Sequence, residues 1–196
     1  MIYWIGYFFW KLASWIFFPL TIRGSQGLPP AGGFILASNH ASFLDPMIIG
    51  ICFWRQLRYV ARDCLFKNRV FDFVLHQVGA FPIKRESADI AGIKEILKKL
   101  QKGYPVVIFP EGTRIQERKE IHGGVGLVAV KSGLPVVPVF IRGSDKVLGP
   151  GAKFPRRHPV TVSFGSPKTY SKITSYQDIA RQIMQDINSL RLDFSP

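Results

Sequence analysis

His40 and Asp45 stand in the run Asn39-His40-Ala41-Ser42-Phe43-Leu44-Asp45-Pro46, and together they are the minimal apparatus of general-base catalysis. An imidazole titrates near neutral pH, and a carboxylate on one ring nitrogen fixes the tautomer and leaves the other nitrogen free to accept a proton. A hydroxyl nucleophile needs such a partner. On a continuous helix, steps of about 100° would swing Asp45 roughly 140° away from His40, so a turn must fold between them. Pro46 suits a first helical position, which makes Asp45 the expected N-cap of a helix reaching about Trp54. Upstream, Gly33-Phe34-Ile35-Leu36-Ala37-Ser38 reads as a buried strand, so His40 is expected in a strand-to-helix loop. Taken alone, one His and one Asp have a more common and blander reading. In that reading His40 packs locally and Asp45 only caps a helix.

Two further segments repeat the pattern of an apolar strand that ends in charge. Tyr104 to Phe109 is a β-type run that breaks off into Pro110-Glu111-Gly112-Thr113-Arg114. Gly112 permits close approach of backbone to a ligand, and Arg114 offers a planar fork for phosphate or carboxylate. Gly79-Ala80-Phe81-Pro82-Ile83-Lys84-Arg85 passes in the same way from apolar residues to cations. Two cationic strand ends imply an anionic ligand, although solvated surface charge is the usual fate of Lys84, Arg85 and Arg114.

Taken together, these segments resemble the glycerolipid acyltransferase family, typified by 1-acylglycerol-3-phosphate acyltransferases. Asn39-His40 to Asp45 is similar to the family's Asn-His-x4-Asp signature, and Gly79 to Arg85 to its second block. Phe109 to Arg114 is similar to the third, and Leu134-Pro135-Val136-Val137-Pro138-Val139 to the fourth. The blocks come in the family's order across about residues 39–140. A departure lies between the third and fourth, where His122-Gly123-Gly124 replaces a frequent Lys-Lys-Gly stretch and leaves a phosphate or donor contact open.

The resemblance implies direct acyl transfer from an acyl thioester, of coenzyme A or acyl carrier protein, to the sn-2 hydroxyl of 1-acylglycerol 3-phosphate (lysophosphatidic acid). His40 would take the hydroxyl proton and Asp45 would orient His40, with loop backbone N–H groups on the oxyanion. Lys84, Arg85 and Arg114 would hold the acceptor phosphate, and Glu111, Gly112 and Thr113 would shape that pocket. A covalent acyl intermediate on Ser42 is a rival route. No metal and no cofactor beyond the thioester co-substrate is expected. Related acceptors, glycerol 3-phosphate among them, and a non-catalytic membrane lipid-binding protein are alternative readings.

The composition suits a membrane partner. The 196 residues carry 26 Lys and Arg against 13 Asp and Glu, a formal net charge of +13. Such a surface attracts polyanions, whether nucleic acid or an anionic membrane. Met1 to Leu20 favours the membrane, because it is apolar and aromatic with Lys11 as its one charged side chain. No nucleic-acid motif accompanies the charge, and no nucleic-acid partner is expected. As one helix the segment would measure about 30 Å, just enough to cross a bilayer core. Its Trp and Tyr load favours the interface, and Lys11 would be costly at the bilayer centre. The preferred reading is a helix or helical pair embedded in one leaflet, with a single span as the alternative. The expected location is the cytoplasmic face of a membrane, a bacterial inner membrane.

The rest is scaffold. Leu57 to Arg62, Pro135 to Arg142 and Val160 to Gly165 read as strands, and Phe66 to Val78, Ile90 to Lys102 and Ser175 to Leu192 as helices. Alternation of the two predicts an α/β fold; the expected architecture is a mixed central sheet flanked by helices, preceded by the N-terminal membrane-embedded helix or helical pair. The expected division is an anchoring segment over residues 1–22 and an acyltransferase domain over 23–196. Cys52 and Cys64 lack metal-site spacing and read as reduced thiols. His76 and His158 show no carboxylate pattern and read as packing or surface residues. Lys153-Phe154-Pro155-Arg156-Arg157 is a basic loop with an aromatic, suited to an anionic leaflet.

Overall fold

The computed structural model describes residues 2–83, 90–112, 121, 123–171 and 175–191. The apolar runs become strands β1 (Leu20–Arg23), β2 (Ile35–Ser38), β3 (Arg58–Arg62), β4 (Ala80–Ile83), β5 (Val106–Ile108), β6 (Val136–Arg142) and β7 (Val160–Phe164). They form one sheet in the order β1-β7-β6-β2-β5-β3-β4. Parallel pairing joins β6, β2, β5, β3 and β4, whereas β7 runs antiparallel to β6 and takes β1 with it. The sheet is mixed, as expected.

Helices close both faces. They are α1 (Ile2–Phe17), α2 (Asp45–Ile51), α3 (Arg69–Gln77), α4 (Ile90–Gln101), α5 (Gly124–Ser132), α6 (Ser144–Leu148) and α7 (Tyr176–Ser189). Successive side chains of a strand point to opposite faces, and β2 divides accordingly. Leu36 packs with Ile48, Ile49, Ile51 and Phe53 on the side of α2, and Tyr7 and Trp10 of α1 lie against that cluster. Ile35 and Ala37 pack on the other side with Ile96 and Leu100 of α4, Val128 of α5 and Ile183 of α7. A central strand buried on both faces has to be apolar throughout, and all of β2 is buried.

Three elements depart from expectation. The N-terminal helix stops at Phe17 because Pro19 excludes helical backbone at Phe18. Leu20 then starts β1, which pairs with Val160 to Ser163. Residues 2–20 contain one helix and no helical pair. Among the described residues no helix is long and apolar enough to cross a membrane, so the single-span alternative lacks support.

Helices α5 and α6 are not foreseen by periodicity. Gly123, Gly124 and Gly126 are poor helix formers, but Gly126 has a packing reason. A Cβ there would run into the Tyr176 carbonyl at the start of α7. Finally, His76 does have a carboxylate partner, since Nδ1 lies 3.1 Å from Asp72 Oδ1 one turn back on α3. Both side chains are exposed, so the pair is a surface contact.

Candidate active site

The site starts where β2 runs out of strand. Asn39 continues the ladder to β6 with its side chain: Nδ2 donates to the Ile141 carbonyl at 3.0 Å, and Oδ1 accepts from the Ile141 amide at 2.8 Å. This two-point grip fixes the root of the loop. Sequence reading includes Asn39 in the motif but misses its role, because Ile141 lies on a strand whose neighbour only the topology reveals.

His40 and Asp45 do meet. Nδ1 of His40 lies 2.8 Å from Asp45 Oδ2, and that same oxygen accepts from the amides of Ala41 at 2.7 Å and Ser42 at 2.8 Å. A carboxylate can only accept, so Nδ1 carries the proton of this bond, and in the neutral ring the lone pair is then on Nε2. The expected N-cap role of Asp45 is not seen. α2 begins at Asp45 itself, preceded by Leu44 without a side-chain cap. Facing back into the loop brings three donors to one buried oxygen, more than a helix cap supplies. Asp45 is fully buried, and Oδ1 has no hydrogen-bond partner among the described residues. The His40 side chain is 13% exposed, which leaves it enclosed but reachable.

A second loop clamps the first. After β5, Phe109 stacks on the His40 ring with centroids 4.1 Å apart and planes 23° from parallel. The chain then turns at Gly112, whose φ of 60° is in the left-handed region, and its amide donates to the Phe109 carbonyl at 3.0 Å. That turn brings Glu111 Oε2 within 3.0 Å of the His40 amide. The carboxylate of Glu111 is buried and grips the His40 loop itself, a role that sequence spacing does not reveal. Phe109 is legible in the sequence as the end of an apolar run and the start of the third block, but its stacking on His40 is not.

Ser42 is bound into the scaffold. Its hydroxyl donates to the Leu148 carbonyl at 2.6 Å and accepts from the Leu44 amide at 3.1 Å, and the side chain is fully buried. Its proton is committed to backbone, which does not suit a nucleophile. The amides of His40, Ala41, Ser42 and Gly112 are likewise donated within the protein. An oxyanion donor has to be another group. Lys84, Arg85, Thr113, Arg114 and His122 lie outside the described residues.

The thiols stand apart from this chemistry. Cys52, at the end of α2, is half-buried, and desolvation pushes its thiol up to about 12. Cys64 is exposed on the 3-10 turn Asp63–Phe66. Among the described residues no group of His, Cys, Asp and Glu could hold a metal ion.

Comparison with known proteins bears on the family and the fold. The family model described as Acyltransferase matches residues 19–142, a span that includes His40, Asp45, Phe109, Glu111 and Ile141. A 1-acyl-sn-glycerol-3-phosphate acyltransferase of Bacillus subtilis (strain 168) is 32% identical over 131 residues, covering 63% of this chain and 66% of the relative. One from Streptococcus pneumoniae is 30% identical over 149 residues, covering 74% of this chain and 53% of the relative. The chain thus spans less than two thirds of either relative. The crystal structure of the 1-acyl-sn-glycerophosphate (LPA) acyltransferase from Thermotoga maritima matches with a TM-score of 0.77 at 22% identity. That match covers 100% of this chain and 80% of the other and shows a shared fold.

Proposed function

This chain belongs to the acyltransferase family, and we propose that it moves a fatty acyl group from an acyl thioester to the sn-2 hydroxyl of 1-acylglycerol 3-phosphate. The observation that carries the reading is the His40 Nδ1 to Asp45 Oδ2 bond at 2.8 Å, with the His40 backbone held by Glu111. Nε2 takes the hydroxyl proton as the acceptor oxygen attacks the thioester carbonyl. The new ester C–O bond forms, the C–S bond breaks, and the thiolate leaves with the proton returned from the imidazolium. Asp45 stabilises that imidazolium through the bond it already makes. Lys84, Arg85 and Arg114 bind the acceptor phosphate, Gly112 and Thr113 are assigned to substrate binding with them, and Glu111 positions His40. The thioester is that of coenzyme A or acyl carrier protein.

The setting is the surface of an anionic bilayer, the cytoplasmic face of a bacterial inner membrane. Ile5, Phe8, Phe9, Leu12, Trp15 and Ile16 of α1 are all exposed, with Trp15 at 83%. A helix of this length, about 24 Å, fits along one leaflet, and Lys11 can snorkel to the headgroups. The basic loop helps. Phe154 is exposed between Lys153 and Arg156, and the loop's end at His158 donates its amide to the Phe17 carbonyl at the end of α1. Each such cation near an anionic leaflet adds about 1 kcal/mol.

The test is thiol release from acyl-coenzyme A or acyl carrier protein by the purified full chain with lysophosphatidic acid. His40→Ala is expected to lower turnover by about 10²–10⁴-fold, the usual share of a general base. Ser42→Ala is expected to retain measurable turnover. Near-normal turnover by the His40 variant would overturn the general-base assignment.

A further inference from the structure

We propose that α3 is a second bilayer-inserting element, docking on anionic phospholipid alongside α1; this rests on the reading that α1 lies in a membrane. None of the residues of α3 is buried. Val70, Phe71, Phe73 and Val74 are 72%, 65%, 56% and 44% exposed, while the acidic Asp72 falls on the other side of the helix. At about 100° per residue these four span one continuous arc of the helix. The helix is amphipathic with its apolar arc turned outwards. Leu65 on the preceding turn, also exposed, extends the patch. Contiguous exposed apolar surface of this kind marks an interaction site.

Charge and topology select the occupant. Lys67 and Arg69 are exposed at the start of α3 and Arg62 at the end of β3, whereas the nearby acidic Asp63 spends its carboxylate on the Cys64 amide at 2.8 Å. Cations at a helix N-terminus oppose its dipole, so helix stability does not account for them. Anionic headgroups do. The links β2-α2-β3 and β3-α3-β4 step across the sheet in one direction, and right-handed crossovers place both helices on one face. The return through α4 lands on the opposite face, as its packing with Ile35 shows. That puts α3 on the side of α2 and α1. The basic start of α3 follows the carboxyl end of β3, the same sheet edge from which the His40 loop leaves β2. One membrane plane can then touch both helices and face the catalytic loop.

The experiment uses the full chain in a Cys64→Ser background with an environment-sensitive fluorophore on Val70→Cys, or on Phe9→Cys in α1. Vesicles of phosphatidylglycerol and phosphatidylcholine are added, with and without lipids carrying a quencher in the acyl chain. Quenching at position 70 as well as position 9 is the expected result. Quenching at 9 alone overturns the role of α3 and leaves the membrane reading standing, whereas quenching at neither overturns the membrane reading itself. Phe71→Ser with Phe73→Ser should lower vesicle partition about tenfold or more, from the apolar burial lost, with an unchanged melting temperature. If this pair instead dissolves a dimer seen by sedimentation and leaves partition unchanged, the face binds a second copy and the proposal fails.

Discussion

Helices α2 and α3 are built by consecutive crossovers on one face of one sheet, yet they have opposite fates. Asp45, Ile48, Ile49, Gly50 and Ile51 of α2 are buried, and none of α3 is. The difference lies above them. α1 lies across α2, with its Tyr3 hydroxyl donating to the Arg55 carbonyl and accepting from the Leu57 amide, both at 3.3 Å. Trp4 and Tyr7 of α1 also close on Trp54 just beyond α2. No described helix covers α3 in that way. A covered crossover helix can hold a carboxylate dry beside an imidazole, and an uncovered one is left with exposed apolar surface.

The contrast is testable at several strengths. Asp45→Ala strips one acceptor from two loop amides and the His40 imidazole. It is expected to lower turnover at least about a hundredfold and to destabilise the fold by about 3 kcal/mol in urea titration. A stable, active variant would mean the buried helix is not what holds the catalytic loop. Next in size, Ile48→Ala in α2 is expected to cost about 2–5 kcal/mol, whereas Phe73→Ala in α3 should stay within about 0.5 kcal/mol. Equal costs at the two positions would erase the distinction. The smallest effect concerns the two thiols beside these helices. Cys52 keeps its proton at pH 7.5 because burial lifts its thiol to about 12, and Cys64 is open to solvent. Iodoacetamide followed by mass spectrometry should find Cys64 alkylated and Cys52 largely spared in the folded protein.

Much of the scaffold was legible because burial imposes its own periodicity. β2, β6 and β7 are short apolar runs between turn residues, and α7 shows Ile179, Ile183 and Ile187 on one stripe, all buried. β1 was hidden behind an aromatic segment that reads as one long helix until Pro19 is given its full weight. α5 was hidden by its glycines, which tertiary packing against α7 requires and helix propensity disfavours. His76 is the surface residue that the sequence suggests, but its partner was overlooked: Asp72 precedes it by one helical turn, and i,i+4 neighbours meet.

In the site, residue types and spacing were enough to single out His40 and Asp45 and to require a turn between them, since a continuous helix would have parted their side chains. They also marked Glu111 and Gly112 as the end of a strand where charge begins. Only the tertiary structure decided what these groups hold. Asp45 faces the loop amides in place of a helix end, Glu111 secures the His40 backbone, and Asn39 grips Ile141. The partners in the last two bonds are 71 and 102 residues apart in sequence. The order of strands in a parallel sheet brings them together, and no local pattern in the chain encodes that adjacency.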